Sequence, residues 1–244
     1  MNDIVCISPI DGSEVARRPI ATDAGIAAAL AQARQAQQQW SAVPLAERKS
    51  RMLAFLDVMR AQNDEVVPEL AMQMGRPVRY GGELRSLEER VRGLVELSDE
   101  ALAPVVPRER AGIRRMIKRV PAGIVLVIAP WNYPYLTAVN AIVPALLAGN
   151  AVILKHAAQT LLVGERLQSA MDLVGLPKGL FRTLTLDHAA TEKLISSRSV
   201  DHVSFTGSVA GGAGGRTGRC RDLHQSRAGA GREGSRLCAA RRRL

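Results

Sequence analysis

The sequence predicts an α/β protein in which a doubly wound, mostly parallel β-sheet follows a helical N-terminal region. After about residue 120, short apolar runs alternate with segments of helical periodicity, which is the pattern of consecutive βαβ units. These runs carry little charge, as expected of strands that helices cover on both faces. Before about residue 104, the chain consists of long segments rich in Ala, Leu, Gln and Glu, which favour helix.

Four helices are predicted in the first region from capping signals and apolar spacing. Thr22 is a capping residue for the first helix, and Pro44 stands at the start of the second, where its missing N–H is tolerated. Gly75 and Pro77 end the third helix. The predicted helical spans are residues 23–40, 45–62, 64–75 and 82–103.

Five strands and three further helices are predicted after residue 104. Residues 112–120, GIRRMIKRV, alternate polar and apolar side chains and predict a half-exposed strand. The other strands are predicted at residues 122–130, 150–155, 179–186 and 200–207, and the helices between them at 137–149, 161–175 and 189–197. Parallel strands joined in this way imply right-handed crossovers.

Polar residues follow three of these strands, at the edge where ligands bind in doubly wound sheets. Asn132 comes after the first buried strand, Lys155 ends the second, and Gly207 and Ser208 follow the last. An amide can stabilise an oxyanion, an ammonium can donate to ribose hydroxyls or phosphate, and a glycine-bearing turn can hold a phosphate. A purely structural interpretation stays open for each: Asn132 as a turn residue between prolines, Lys155 as a solvated charge, and Gly207 as an ordinary turn glycine.

The formal net charge of +10 is concentrated in residues 213–244. That segment holds nine Arg against Asp222 and Glu233, which leaves about +3 for residues 1–212, an ordinary value for a soluble enzyme. The charge therefore indicates no nucleic-acid partner for the main part of the chain. No apolar stretch is long enough to span a membrane and no secretory signal is visible, so we expect a cytoplasmic protein.

The three cysteines, Cys6, Cys220 and Cys238, lie far apart in the sequence. Their spacing matches neither a disulfide framework nor a zinc site. We therefore expect no metal site and a reducing compartment, with Cys6 filling space near the N-terminus.

Four collinear segments resemble the aldehyde dehydrogenase family. They are PAGIVLVIAPWNYP, PALLAGNAVILK, the QT of KHAAQT, and VDHVSFTGSVAGG. The resemblance covers residues 1–212 and is strongest from Pro121 onward; QMGRP, in the helical region, is similar to the family's ETGKP segment. It implies two parts: residues 1–212 as the N-terminal and cofactor-binding region, and 213–244 as an aberrant or disordered tail.

The resemblance also implies roles for single residues. Asn132 is implied as the oxyanion-hole amide of an enzyme that oxidises an aldehyde to a carboxylic acid. The implied cofactor-binding residues, which line the pocket, hold the adenosine ribose or shape the pyrophosphate turn, are Ile128, Trp131, Lys155, Gly207, Ser208 and Gly212. The strand at 112–120 is similar to part of the arm through which members of the family form homo-oligomers.

The cofactor implied by the resemblance is NAD or NADP. In NAD-preferring members a glutamate usually stands where this chain has Ala158, and it accepts from the ribose 2′-OH and repels a 2′-phosphate. Ala158 therefore permits NADP, and NAD is not excluded. His156 replaces a usual proline and is expected to add positive charge nearby.

Family chemistry needs a cysteine nucleophile and a glutamate base, both carried beyond the FTGS turn. Cys220, Cys238 and Glu233 lack the family's surrounding motifs, so we expect this chain alone to be inactive. Arg, Gly and Ala dominate the segment after Gly212, and a GC-rich gene read out of frame encodes these residues in excess. We therefore hypothesise that the reading frame is lost near Gly212.

Two alternative functions, which belong to other classes of protein, remain compatible with the sequence. The Arg/Gly-rich tail can bind RNA through phosphate contacts, although it lacks interleaved aromatic residues and a regular RGG repeat. The chain can also be a non-catalytic fragment that binds cofactor or forms oligomers.

Overall fold

A computed structural model of the chain describes residues 3–108 and 112–208, together with the backbone of residues 236–239. The four predicted N-terminal helices are present. They are α1 (Asp23–Ser41), α2 (Leu45–Ala61), α3 (Asn63–Met74) and α4 (Leu84–Leu102). Thr22 caps α1 as predicted, because its hydroxyl accepts the N–H of Gly25 at 3.1 Å.

An antiparallel hairpin that sequence analysis did not predict precedes these helices. Strand β1 (Asp3–Ile7) pairs with β2 (Glu14–Pro19). The signal for it is the Asp11-Gly12 pair, a common hairpin turn sequence, and Gly12 has a φ of 74°, where a side chain would be strained.

Helix α1 packs along the central sheet through a buried stripe that has three alanines at its centre. Its buried residues recur at helical spacing and are Ile26, Ala29, Ala33, Ala36 and Trp40. Trp40 closes the stripe, and its indole N–H donates to the carbonyl of Leu146 at 2.8 Å. A buried indole N–H with a partner avoids the cost of an unsatisfied donor.

The sheet has five strands in the order β5-β4-β3-β6-β7. Its elements in chain order are β3 (Ile124–Ile128), α5 (Pro134–Leu147), β4 (Ala151–Lys155), α6 (Leu161–Leu173), β5 (Phe181–Thr183), α7 (His188–Ser196), β6 (His202–Phe205) and β7 (Arg236–Ala239). The pairs β3/β4, β4/β5 and β3/β6 are parallel, which confirms the predicted fold class, and β7 pairs antiparallel with β6.

The centre of the sheet is covered on both faces. Every residue of 124–127 and of 151–154 is buried, and successive side chains of a strand point to opposite faces. The chain first adds β4 and β5 on one side of β3 and then returns to add β6 on the other. The strand order therefore reverses between β3 and β6, and such a switch point is where doubly wound sheets bind ligands.

The predicted strand at residues 112–120 is wrong for the part that the structure describes. Isolated bridge residues, Ile113 and Ile117, stand in its place, and Ile117 exchanges backbone hydrogen bonds of 2.8 and 3.0 Å with Val105. The next hydrogen-bonded position on the Val105 side is Pro107, which has no N–H to donate. The pairing at Val105 and Ile117 therefore does not continue through Pro107 as a regular ladder.

In the described part of the chain, no helix combines the length and the apolar character needed to cross a membrane. Of the predicted tail, 213–244, only strand β7 falls within the described residues.

Candidate functional site

Three strand ends meet in one row at the carboxyl edge of the sheet. Ile128 of β3 is paired with Lys155 of β4 on one side and with Phe205 of β6 on the other. The row continues past the strands, because Ala129 N–H donates to Lys155 O at 3.1 Å and Thr206 N–H donates to Ile128 O at 3.0 Å. The structure thus brings Ile128, Lys155 and the turn after Phe205 together at the switch point.

Asn132 lies on the loop between β3 and α5. The residues on either side of it, Trp131 and Tyr133, are 51% and 52% exposed, and Asn132 is itself exposed. The side-chain oxygen of Asn132 accepts the N–H of Tyr133 at 3.0 Å. This bond occupies the carbonyl end of the amide, so the NH2 end is the one available to a carbonyl oxygen of a substrate.

Lys155 is half-buried at the end of β4. Burial lowers the pKa of its ammonium, and the nearby carboxylate of Asp187 opposes that shift. Asp187 also caps α7 by accepting the N–H of Ala190 at 2.7 Å. Sequence analysis missed Asp187, although an Asp directly before a helical segment is an ordinary capping signal.

His156 does not add the positive charge that the sequence analysis expected. Its ring is buried; Nδ1 accepts the N–H of Ala157 at 2.9 Å, and Nε2 lies 3.2 Å from the carbonyl of Pro134, to which it donates. Burial lowers the pKa of His156 to about 4, so the ring is neutral at pH 7. The residue links β4 to the start of α5 instead of supplying charge.

The turn after β6 is shaped by Gly207. A Cβ built on Gly207 would lie 2.7 Å from Cζ of Phe205, so a larger residue would displace the ring. Ser208, the next residue, is exposed. Gly212, the other glycine predicted for this turn, lies outside the described residues.

A shallow depression lies beside the ends of β4 and β5. Its lining includes His156, Ala158, Glu165 and Leu186. Glu165 is held by Arg18 through bonds of 2.6 and 2.9 Å, so its carboxylate is already matched by a guanidinium. Ala158 is exposed and presents only a methyl group.

Cys6 is a packed thiol at the hairpin and not a nucleophile at this edge. Its Sγ donates to the carbonyl of Gln159 at 3.1 Å, and burial raises its pKa. Cys220 and Glu233 lie outside the described residues, and only the backbone of Cys238 is described. Within residues 3–108 and 112–208, no cluster of His, Cys, Asp and Glu is placed to hold a metal ion.

Comparison with known proteins assigns the chain to a family. The model of the aldehyde dehydrogenase family matches residues 1–214. This match covers well over half of the sequence, and the chain therefore belongs to the aldehyde dehydrogenase family.

Individual relatives are longer than this chain. The chain is 32% identical over 185 residues to N-succinylglutamate 5-semialdehyde dehydrogenase of Vibrio cholerae, an alignment that covers 75% of the chain and 38% of the relative. A solved NAD-dependent benzaldehyde dehydrogenase from Corynebacterium glutamicum superposes with a TM-score of 0.83 at 25% identity, covering 90% of the chain and 49% of that structure. The chain thus spans less than half the length of these relatives.

The fold is also shared with succinic semialdehyde dehydrogenase from Streptococcus pyogenes, solved with NADP+. The TM-score is 0.82 at 23% identity, and the match covers 89% of this chain and 48% of that structure. Solved structures of this fold thus include one described as NAD-dependent and one holding NADP+.

Proposed function

We propose that residues 1–212 form the N-terminal, cofactor-binding part of an NAD(P)-dependent dehydrogenase that oxidises an aldehyde to a carboxylic acid. The observation that carries the proposal is the single row of Lys155, Ile128 and Phe205 at the switch point of the sheet. Membership of the aldehyde dehydrogenase family supports the reaction class.

The residues at this edge suit a dinucleotide. Lys155 offers a half-buried ammonium to ribose hydroxyls or phosphate, and the turn at Gly207 and Ser208 offers N–H groups to a pyrophosphate. Ile128 and Trp131 supply apolar surface on the cofactor side of the pocket, and Gly212 completes the turn. When bound, NAD(P) accepts the hydride, which is the chemistry that no protein side chain supplies.

Asn132 is the residue of this region that we place at the reacting carbonyl. Its NH2 group donates to the oxygen of the aldehyde and stabilises the negative charge that develops there. In the enzyme expressed from a complete coding region, N132A is expected to lower kcat by about 100-fold, as loss of an oxyanion donor does. A matched variant, N140A in the middle of α5, should leave kcat unchanged; equal losses in both variants would contradict the role of Asn132.

Either NAD or NADP fits the region around Ala158. A methyl group neither accepts from a ribose 2′-OH nor repels a 2′-phosphate, and the nearby Glu165 is neutralised by Arg18. Because His156 is neutral, it gives no electrostatic preference for the 2′-phosphate. The relatives named above differ in the same respect, one being NAD-dependent and one holding NADP+.

We further propose that the reading frame is lost near Gly212, so that this chain alone does not oxidise aldehydes. Two observations support this: the family match stops at residue 214, and the nine Arg of residues 213–244 accompany an excess of Gly and Ala. Sequencing the locus tests the proposal. A shifted frame is expected to contain an ELGGK-like motif and a downstream cysteine motif, and a frame without them would contradict it.

The segment around Val105 and Ile117 is proposed to pair with a second copy of the chain. The large apolar side chains of this segment are between 49% and 80% exposed; they are Val105, Val106, Ile113, Met116, Ile117 and Val120. An exposed apolar patch of this kind is typical of an interaction surface. Light scattering is expected to detect a homo-oligomer that I117R weakens and that R85E, at an exposed position of α4, does not weaken. An unchanged assembly in I117R would contradict the proposal.

A further inference from the structure

The N-terminus of α5 is capped by a side chain from the helical region. Tyr133 is the capping residue by position, yet its side chain makes no capping bond. The N–H of Leu136 instead donates to Oε2 of Glu83 at 2.7 Å. The Glu83 side chain is 2% exposed, so this carboxylate is buried against the positive end of the helix dipole.

Arg76 connects the same carboxylate to the loop that carries Asn132. Its Nη1 lies 3.3 Å from Oε1 of Glu83, and its guanidinium carbon lies 5.6 Å from the centre of the Tyr133 ring. That distance is within the range of a cation–π contact. Arg76 follows Gly75, whose left-handed conformation ends α3 and turns the chain toward this loop.

The two contacts hold the loop on either side of its functional amide. Glu83 fixes the backbone at Leu136, while Arg76 fixes the ring of Tyr133, whose own N–H donates to Asn132. The orientation of the Asn132 amide follows the position of that N–H. Both charged side chains are largely buried, at 17% and 2% exposure, so each would be left unpaired in a buried site without the other.

We propose that Arg76 and Glu83 are positioning residues that hold the loop at residues 131–136 so that the amide of Asn132 faces the carboxyl edge of the sheet. Neither side chain touches the reacting atoms. The catalytic consequence rests on the proposed function, but the ordering of the loop does not, and it can be measured on this chain without cofactor or substrate.

The chain contains two tryptophans, which give a built-in reporter and control. Trp131 adjoins Asn132 and is 51% exposed, whereas Trp40 is 2% exposed in the core. With 5-fluorotryptophan incorporated into the full chain, each residue gives its own 19F resonance. The double variant R76M/E83Q leaves no buried unpaired charge and is therefore the variant best suited to keep the fold.

In R76M/E83Q we expect the Trp131 resonance to shift or broaden while that of Trp40 stays unchanged. The matched control is R60M/E88Q, which removes an exposed ion pair of 3.0 Å between α2 and α4 and is expected to change neither resonance. An unchanged Trp131 signal in R76M/E83Q, or an equal change in the control, would overturn the proposal.

A conservative variant covers the case in which R76M/E83Q also loses the Trp40 signal. R76K keeps a cation beside Glu83 but removes the planar guanidinium over the ring of Tyr133. A Trp131 shift with an unchanged Trp40 signal in R76K supports the proposal, and an unchanged Trp131 signal overturns it. Failure of the proposed function would appear separately, as absence of dinucleotide binding by a wild-type chain with ordered 19F signals.

Discussion

Lys155 and Asn132 reach the same edge of the sheet by different means. Lys155 is the last residue of a strand, and its position is fixed by pairing with Ile128 in a parallel ladder. Asn132 lies on an exposed loop whose anchor, Glu83, is 53 residues away from its partner Leu136 in the sequence. A strand-borne group is therefore positioned by local sequence and sheet pairing, whereas a loop-borne group depends on long-range side-chain contacts.

The largest expected effect is a loss of stability when a buried side chain of β4, the strand that positions Lys155, is truncated. Leu154 directly precedes Lys155 and is fully buried. We expect L154A to lower the free energy of unfolding by about 4 kcal/mol, because it removes apolar contacts and leaves a cavity. Urea denaturation measures the loss, and L173A, at a position 68% exposed on α6, is the control that should change little. Similar values for both variants would contradict the assigned core.

His156 connects the strand that carries Lys155 to the loop that carries Asn132, because it follows Lys155 and donates to Pro134 O at the start of α5. Its pKa is lowered from 6.5 to about 4 in the folded chain, so protons bind the unfolded state preferentially. Its contribution to stability is fully present above pH 6.5 and is lost as pH falls toward 4, by about 3 kcal/mol in total.

Urea denaturation at several pH values measures this effect as the difference in the free energy of unfolding between wild type and H156Q. Glutamine retains a donor for Pro134 O but does not titrate, so the difference should shrink on acidification. H188Q, which removes an exposed histidine at the start of α7, is the control for the loss of a histidine side chain. A constant difference between wild type and H156Q from pH 7 to pH 4 would show that the ring is not held neutral.

Most of the sheet and one side of the site could be predicted from the sequence. Buried strands are continuous apolar runs, so β3, β4 and β6 and the polar residues after them follow from short local patterns. For this reason the predicted proximity of Lys155 and the turn at Gly207 agrees with the structure, in which Lys155 pairs with Ile128 and the N–H of Thr206 donates to Ile128 O. Their roles toward a cofactor stay predictions.

The remaining features depend on tertiary context. The alternation of residues 112–120 predicts a strand, but the structure has isolated bridge residues there, and Pro107, which lacks an N–H, interrupts the pairing that begins at Val105 and Ile117. His156 was expected to be charged because its burial cannot be read from the sequence. The Glu83 cap on Leu136 has no local signal, since Glu83 directly precedes α4 and Leu136 lies in the first turn of α5, 53 residues away.

A smaller effect is expected at Ala158, the position that bears on cofactor choice. In the proposed site, A158E adds a carboxylate beside the ribose 2′-position, where it would repel a 2′-phosphate because like charges repel. We expect the Kd for NADPH to rise about tenfold, which corresponds to about 1.4 kcal/mol, with little change for NADH. The control A189E adds the same charge at an exposed site on α7. Equal changes in the Kd values of A158E for NADPH and NADH would show that the ribose does not bind beside Ala158.

The central claim is that the row at the sheet edge binds a dinucleotide through Lys155, and fluorescence titration of this chain with NADH and NADPH tests it most directly. We predict saturable binding whose Kd rises about fivefold in K155M, the value of about one lost hydrogen bond. K193M removes an exposed lysine on α7 that pairs with Asp23 at 2.6 Å, and it should bind as the wild type does. No saturable binding, or equal Kd values for K155M and K193M, would contradict the account.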